Sequence, residues 1–355
     1  VSSLDPSPTP AQAFRGVSAR LPGSEATRRK QAGFTRKLKT ARRFVLYWFG
    51  LAPLIGLVRR LPRPLVRAFL RGVVEPIFHR STVARSRRHL ALIYGDSMPA
   101  AERDRVARAV SRHFVTGILE LLEILDHGPR PAMERCDASA LEPILEALKR
   151  RPKQGFVGVT AHLGNWELLG SWFARSGIVE EVAAIATPHS NPWLDRRIVE
   201  FRSKLGMRTF RRTEANTGLI RYLREGHAVA IVPDQDVKNI AGIFVDFLGQ
   251  RAYTAVGPAR LALAADIPIV CAFLVRIGAD RYRLHVADLI VPDRTAPREA
   301  EVERLTRAWS RAIEDAVRAF PEQWAWFHER WRTTPERLLA RGRAELGTQR
   351  DDASS

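Results

Sequence analysis

The sequence predicts an α/β protein: a mixed sheet flanked by helices, preceded by a helical part that faces a membrane. Three observations carry this. From Gly155 onward, short apolar runs alternate with segments of helical periodicity, the pattern of a sheet with helices packed on it. Ahead of them lies a long amphipathic stretch. Ahead of that again, an apolar run sits between two arginine-rich blocks.

Residues 1–38 are polar and rich in Pro, Ser and Ala without a sustained apolar period, so they are expected to be a disordered basic segment with no cleavable signal. Residues 39–95 form the expected membrane-associated region. Its apolar run, Phe44 to Val58, has 15 residues, short of the roughly 20 a spanning helix needs. Tyr47 and Trp48 suit an interfacial belt, and the flanking arginines suit lipid headgroups. A shallow anchor is preferred over a buried core helix.

Residues 96–337 read as the α/β domain, and 338–355 as a C-terminal tail. Val106, Val110, Phe114, Ile118, Leu121, Leu122 and Leu125 recur at helical spacing from Pro99 to Asp126, and Gly128-Pro129 stops the helix. Leu141–Leu148 is a shorter helix. Strands are expected at 156–160, 182–186, 228–232, 243–247, 267–275 and 282–291. Helices are expected at 165–175, 193–205, 217–224, 256–264 and 298–319.

The net charge is +19 and unevenly placed. Residues 1–43 hold ten Lys/Arg against two acidic residues, and residues 59–90 nine Arg against one Glu. Such a surface attracts phosphate on lipid or nucleic acid, although an Arg-rich composition alone produces solvated basic faces too. Nothing reads as a helix-turn-helix or RNA-binding signature, which disfavours nucleic acid as a partner. Cys136 and Cys271 have no metal-ligand spacing, so neither a disulfide framework nor a zinc site is expected. No Gly-rich phosphate loop appears, and no cofactor is expected.

The candidate chemistry lies in Thr160-Ala-His-Leu-Gly-Asn-Trp-Glu-Leu-Leu-Gly170. A strand runs in and a helix runs out, so His162 sits at a strand end, where α/β sheets place ligand-binding groups. Gly164 permits a tight turn and Asn165 is a good N-cap. The spacing lets Glu167 fold back on His162 as the carboxylate that orients a general base. Spacing alone also fits a helix-capping acid and a turn histidine. Asp234 and Asp236 read as cation ligands or, preferably, as a polar turn closing a strand. Trp324, Trp326, Phe327 and Trp331 read as core aromatics rather than a membrane patch. His189, His285 and His328 are taken as structural.

From about Arg87 to Pro335 the chain resembles the secondary (late) lipid A acyltransferases, lauroyl/myristoyl type, of the lysophospholipid acyltransferase superfamily. The matching segments fall in order: Arg87-Arg-His-Leu-Ala-Leu92; the His162-x4-Glu167 pair; Pro188-His-Ser-Asn191 with Arg202 and Gly206; Pro233-Asp-Gln-Asp236 with Gly242–Gly249; Thr254–Ala262; and Pro321–Trp331. The resemblance implies the superfamily's α/β fold and transfer of an acyl chain from acyl-carrier protein to a hydroxyl of a phosphorylated glycolipid. His162 would be the base and Glu167 its partner, with Arg202 steadying an oxyanion or a phosphate. Asn165, Asp234, Asp236 and Thr254 would lie at the substrate, with no metal required. It further implies the cytoplasmic face of the inner membrane, held monotopically or by one N-terminal anchor. Thr187 and His89 depart from the pattern, which leaves open acyl-CoA as donor and another glycolipid, such as a phosphatidylinositol mannoside, as acceptor. A basic, non-catalytic membrane or nucleic-acid binding protein is the alternative of a different class.

Overall fold

The computed structural model describes Pro53, Gly56 and residues 60–339, except 151–154, 189–190, 212–216 and 238–239. The chain divides into two compact units, residues 1–57 and 58–355. In the first, only Pro53 and Gly56 are described, both helical, so the expected disordered segment and nearly all of the apolar run lie outside the described residues. The second unit carries the fold set out below.

Helix α1 (Arg63–Phe69) passes through a π turn at Leu70–Val74 into α2 (Glu75–Tyr94). Helix α3 (Ala100–His127) has Pro99 as its N-cap and ends at Gly128, whose φ of 75° suits glycine. Val66 and Leu70 pack on Val115 and Leu119 of α3. Val83 and Leu90 of α2 join Val106 and Val110 in the main core, so the packing is continuous across residues 95 and 96.

The strands follow: β1 (Cys136–Asp137), β2 (Phe156–Val159), β3 (Val182–Ala186), β4 (Met207–Arg211), β5 (Ala228–Ile231), β6 (Gly242–Phe247), β7 (Gln250–Ala255), β8 (Ile269–Arg276) and β9 (Tyr282–Ile290). The helices among and after them are α4 (Glu142–Lys149), α5 (Trp166–Arg175), α6 (Pro192–Lys204), α7 (Thr217–Arg224), α8 (Gly257–Ala265) and α9 (Arg298–Ala319). Seven strands form one mixed sheet in the order β1-β9-β8-β2-β5-β3-β4, and β6-β7 form a separate antiparallel hairpin. β8, β2, β5, β3 and β4 run parallel, and β9 is antiparallel to β8.

Strand β8 shows why the sheet is covered on both faces. Its alternate residues enter different cores: Ile269, Cys271, Phe273 and Val275 face one containing residues of α7, α8 and α9. Val270, Ala272 and Leu274 face the other, with Leu168, Leu169 and Phe173 of α5. A strand buried on both sides reads as an unbroken apolar run, and Ile-Val-Cys-Ala-Phe-Leu-Val does. Sequence periodicity missed β1, β4 and β7. Met207–Arg211 alternates too weakly to stand out, and only its pairing with β3 makes it a strand.

Candidate active site

Two parallel strands lying side by side build the site. β2 and β5 pair with Val159 opposite Ile231, so the residues three places beyond each, His162 and Asp234, leave the sheet together. Asp234 grips the histidine twice: Oδ1 accepts from Nδ1 at 2.7 Å and Oδ2 from the His162 backbone N–H at 2.8 Å. The indole Nε1 of Trp324 donates to the same Oδ2 at 2.9 Å. Burial works to raise the Asp234 pKa. The charge and hydrogen bond of His162, with His328 and the Trp324 indole, outweigh it and hold the carboxyl well below its ordinary range. An ionised carboxylate at Nδ1 requires Nδ1–H there and leaves the lone pair on Nε2.

That Nε2 faces Gln235, whose amide nitrogen is 3.1 Å from it and 3.1 Å from His328 Nε2. One NH₂ group thus donates to two imidazoles. The His162 and His328 ring centroids are 4.8 Å apart. The sequence reads His328 as structural because no carboxylate stands from it at the His162–Glu167 spacing; the Pro321–Trp331 segment delivers it from far along the chain. Leu163 forms an antiparallel bridge with Trp324, and Ala325 N donates to His162 O at 3.0 Å. Trp324 and Trp326 are buried in the core, as expected, and Phe327 and Trp331 pack against it. His285 lies between Phe273 and Phe320. His189 lies outside the described residues.

Glu167 does not meet the sequence expectation. Its carboxylate is held by Arg202, with Nη2 at 2.6 Å and Nε at 3.0 Å, and Asp234 takes the place on His162 Nδ1 that Glu167 was expected to fill. The reason is local. Asn165 caps α5, its Oδ1 accepting from Leu168 N at 3.0 Å. The helix so begun turns Glu167 toward α6, while the loop after β5 closes the Nδ1 side of the imidazole. Arg202, expected at an oxyanion or a phosphate, is committed to this ion pair.

Three further expectations are corrected by burial. Asn165 serves structure, since its Nδ2 also donates to Glu120 Oε2 at 2.9 Å. Asp236 is sealed by Thr333, whose N and Oγ1 donate to its carboxylate, and by Arg332. Thr254 is wholly buried, accepting from Arg330 Nη2 at 2.6 Å. Asp236 and Thr254 fasten the terminal segment to the β5 loop and to β7, and neither borders the cleft.

A second polar cluster braces the loop from behind. Glu120 binds Arg276 through Nε (2.9 Å) and Nη2 (2.6 Å). Arg276 Nη1 donates to His113 Nδ1 at 2.5 Å, so His113 Nε2–H points at Gly164 O, 3.3 Å away. Burial, with the Arg276 charge, lowers the His113 pKa to about 3. Burial, with the His162 charge, lowers that of His328 to about 4. Both histidines therefore bind protons more readily in the unfolded chain, and stability falls as pH drops below 6.5 toward these values. Urea titrations at pH 7, 5 and 4 should show a loss of roughly 3 kcal/mol per histidine by pH 4. The slope between pH 6.5 and 4 should flatten in His113→Gln and His328→Gln.

His162 and Gln235 open on a cleft of about 750 Å³. Ile185, Ile198, Val199, Ile220, Ile231 and Leu261 supply much of its apolar wall. Among the described residues no group of three His, Cys, Asp or Glu is placed to hold a metal ion.

A carboxylate-held imidazole opening on a large, mostly apolar cleft defines an α/β protein with a nitrogen placed to accept a proton from a molecule in that cleft. Comparison with known proteins agrees. Residues 31–333 match the family described as bacterial lipid A biosynthesis acyltransferase. A phosphatidylinositol mannoside acyltransferase of Mycolicibacterium smegmatis is 26% identical over 302 residues, covering 82% of this chain and 92% of the relative. A lipid A biosynthesis lauroyltransferase of Escherichia coli is 25% identical over 308 residues, 84% and 95% of the two chains. A myristoyltransferase of the same pathway and organism is 23% identical over 282 residues, 79% and 84%. The chain belongs to the lipid A biosynthesis acyltransferase family, and it is an acyltransferase that moves an acyl group to a lipid.

Proposed function

We propose that the protein transfers a fatty acyl chain from the thioester of acyl-carrier protein to a hydroxyl of a lipid A precursor, with His162 Nε2 as general base. The observation that carries this is the buried Asp234 carboxylate on His162 Nδ1, which leaves Nε2 as the acceptor facing the cleft. The substrate hydroxyl replaces the Gln235 amide at Nε2 and gives up its proton as it attacks the thioester carbonyl. The new C–O bond forms, the C–S bond breaks, and the imidazolium returns the proton to the leaving thiolate. The freed Gln235 amide is a donor for the developing oxyanion. The Glu167–Arg202 pair braces α5 against α6 at the cleft wall. The acidic carrier protein suits the chain's net charge of +19.

The site of action in this reading is the cytoplasmic face of the inner membrane. Leu65, Val73 and Ile77 are exposed on α1, the π turn and α2, and Arg60, Arg71 and Arg80 are exposed among them. Exposed apolar side chains interspersed along the chain with exposed arginines complement an anionic lipid surface. No helix among the described residues is long and apolar enough to cross a membrane.

A second reading is acyl-CoA-dependent acylation of another glycolipid, favoured by the M. smegmatis relative, which is named a phosphatidylinositol mannoside acyltransferase and matches over nearly its whole length. Four assays of the purified protein separate the two, pairing acyl-carrier protein or CoA thioesters with a lipid A precursor or a phosphatidylinositol mannoside. The first reading expects the highest kcat/KM with carrier protein and lipid A precursor, and a fall of about 10²–10⁴ in His162→Ala. A preference of tenfold or more for CoA and the mannoside would establish the second instead. Full activity in His162→Ala would end both.

A further inference from the structure

The cleft that holds His162 carries more positive charge than its own carboxylates balance. Its lining includes Arg202, Arg211, Arg260 and Arg298, and among the described lining residues Asp195 is the one acid. Arg202 is committed to Glu167 and Arg211 lies 3.4 Å from Asp195. That leaves two guanidiniums. Arg260 projects from α8 and meets Glu299 only at 3.9 Å, its side chain about half exposed and that of Glu299 mostly so. Arg298 opens α9, is exposed, and has no ion-pair partner among the described residues. The Arg260–Glu299 contact ties α8 to the first turn of α9, so both arginines belong to one side of the cleft. An apolar trough with a basic margin complements an amphiphile with an anionic head.

We propose that Arg260 and Arg298 form a phosphate-binding subsite at the margin of the cleft, which takes the phosphate of a substrate while the apolar wall takes its chain. The phosphate belongs either to the glycolipid acceptor or to the pantetheine arm of the donor; the recognising chemistry is the same. This rests on the acyl-transfer reading and adds where the anionic group is held. A guanidinium is suited to the task because its planar fork meets phosphate oxygens through two parallel N–H bonds. Low-dielectric walls focus the field of the two charges into the cleft. Exposed ion pairs are individually weak and screened by salt, so the subsite tunes affinity and orientation and leaves the bond-making step to His162.

The test uses the full chain and Arg260→Glu/Arg298→Glu, with Arg260→Ala/Arg298→Ala as a milder partner if charge reversal disturbs folding. Titration calorimetry with dodecyl phosphate and dodecyl maltoside, both below their micelle concentrations, reads the subsite without turnover. The native protein should prefer the phosphate about tenfold, and the preference should shrink with added salt and vanish in the double variant. Two kinetic arms find the source. One compares the acceptor with its dephosphorylated form at a fixed donor. The other compares acyl-CoA with an acyl N-acetylcysteamine thioester at a fixed acceptor. The substrate that uses the subsite should show KM about tenfold higher in the double variant with little change in kcat, and its phosphate-free counterpart should not. Equal binding of dodecyl phosphate by native and variant protein would overturn the subsite, as would equal KM increases with and without phosphate. A native protein that prefers dodecyl phosphate yet turns over no pair would overturn the acyl-transfer reading and leave the subsite standing.

Discussion

Asp234→Asn is expected to lower kcat by about 10²–10⁴-fold with KM close to the native value. The hydrogen bonds give the reason. Asp234 Oδ2 accepts from two fixed N–H groups, the His162 backbone and the Trp324 indole. An asparagine must turn its oxygen toward those two donors, which places its NH₂ against His162 Nδ1. Nδ1 must then accept, the ring proton moves to Nε2, and the nitrogen facing the cleft is no longer a base. The fold should survive, because the side chain keeps its shape and the His162 backbone N–H and the Trp324 indole keep an acceptor. Glu167→Gln is the comparator. It leaves the Nδ1 bond intact and weakens the ion pair with Arg202, so it should act chiefly on stability. Breaking a fully buried pair costs about 3–5 kcal/mol, and this pair loses less because both side chains retain some solvent contact, 13% and 15%. Steady-state kinetics and thermal melts on the two variants decide the matter. If Asp234→Asn stays within threefold of native kcat while Glu167→Gln is inactive, the roles are reversed.

Gly164→Ala is expected to be the most damaging small substitution near the site. Gly164 has φ of +64°, a conformation costing an L-residue roughly 1–2 kcal/mol. A Cβ there would also stand 2.0 Å from the backbone oxygen of Leu274, at the end of β8. That oxygen cannot retreat freely, since it accepts from Asn165 N at 2.9 Å. Relief must therefore come from the turn itself, which carries His162 on one side and the α5 cap on the other. A stability loss of about 3 kcal/mol or more is expected, with a tenfold or greater fall in kcat in whatever remains folded. Urea denaturation and kinetics at a temperature below the melt separate the two effects. A native midpoint and native kcat would contradict the turn geometry described above.

How far the sequence reached can be followed through these same residues. Gly164 and Asn165 were legible as a turn and an N-cap because both roles are written in backbone chemistry within a few positions. Helix α3 was legible because its apolar residues repeat at helical spacing between Pro99 and Gly128. Strand β8 was legible as an apolar run too short and too β-branched at its start for a helix. The resemblance across the ordered motifs, now joined by the family match over residues 31–333, carried the reaction class.

The carboxylate partner of His162 was the principal misreading. Local spacing favoured Glu167 because it lies five positions along the chain, and a one-dimensional reading can only weigh neighbours in sequence. Asp234 is 72 positions away and becomes a neighbour because β5 docks beside β2 in the sheet order. His328, 166 positions from His162, arrives the same way, when the terminal segment bridges Leu163. Asp236 and Thr254 were misplaced for the converse reason. Their motifs mark them as important, but only packing shows that Thr333 and Arg330 have already consumed their hydrogen-bonding capacity.

The sequence by itself thus determined most helices and strands of the α/β domain, the turn that presents His162, and the acyltransferase class, because each rests on contacts within one segment or on motifs in a fixed order. Only the tertiary structure decided which acid holds that histidine, which polar residues are sealed away, and which arginines border the cleft. Those outcomes depend on strand order and side-chain burial, and both arise from the packing of segments far apart in the chain.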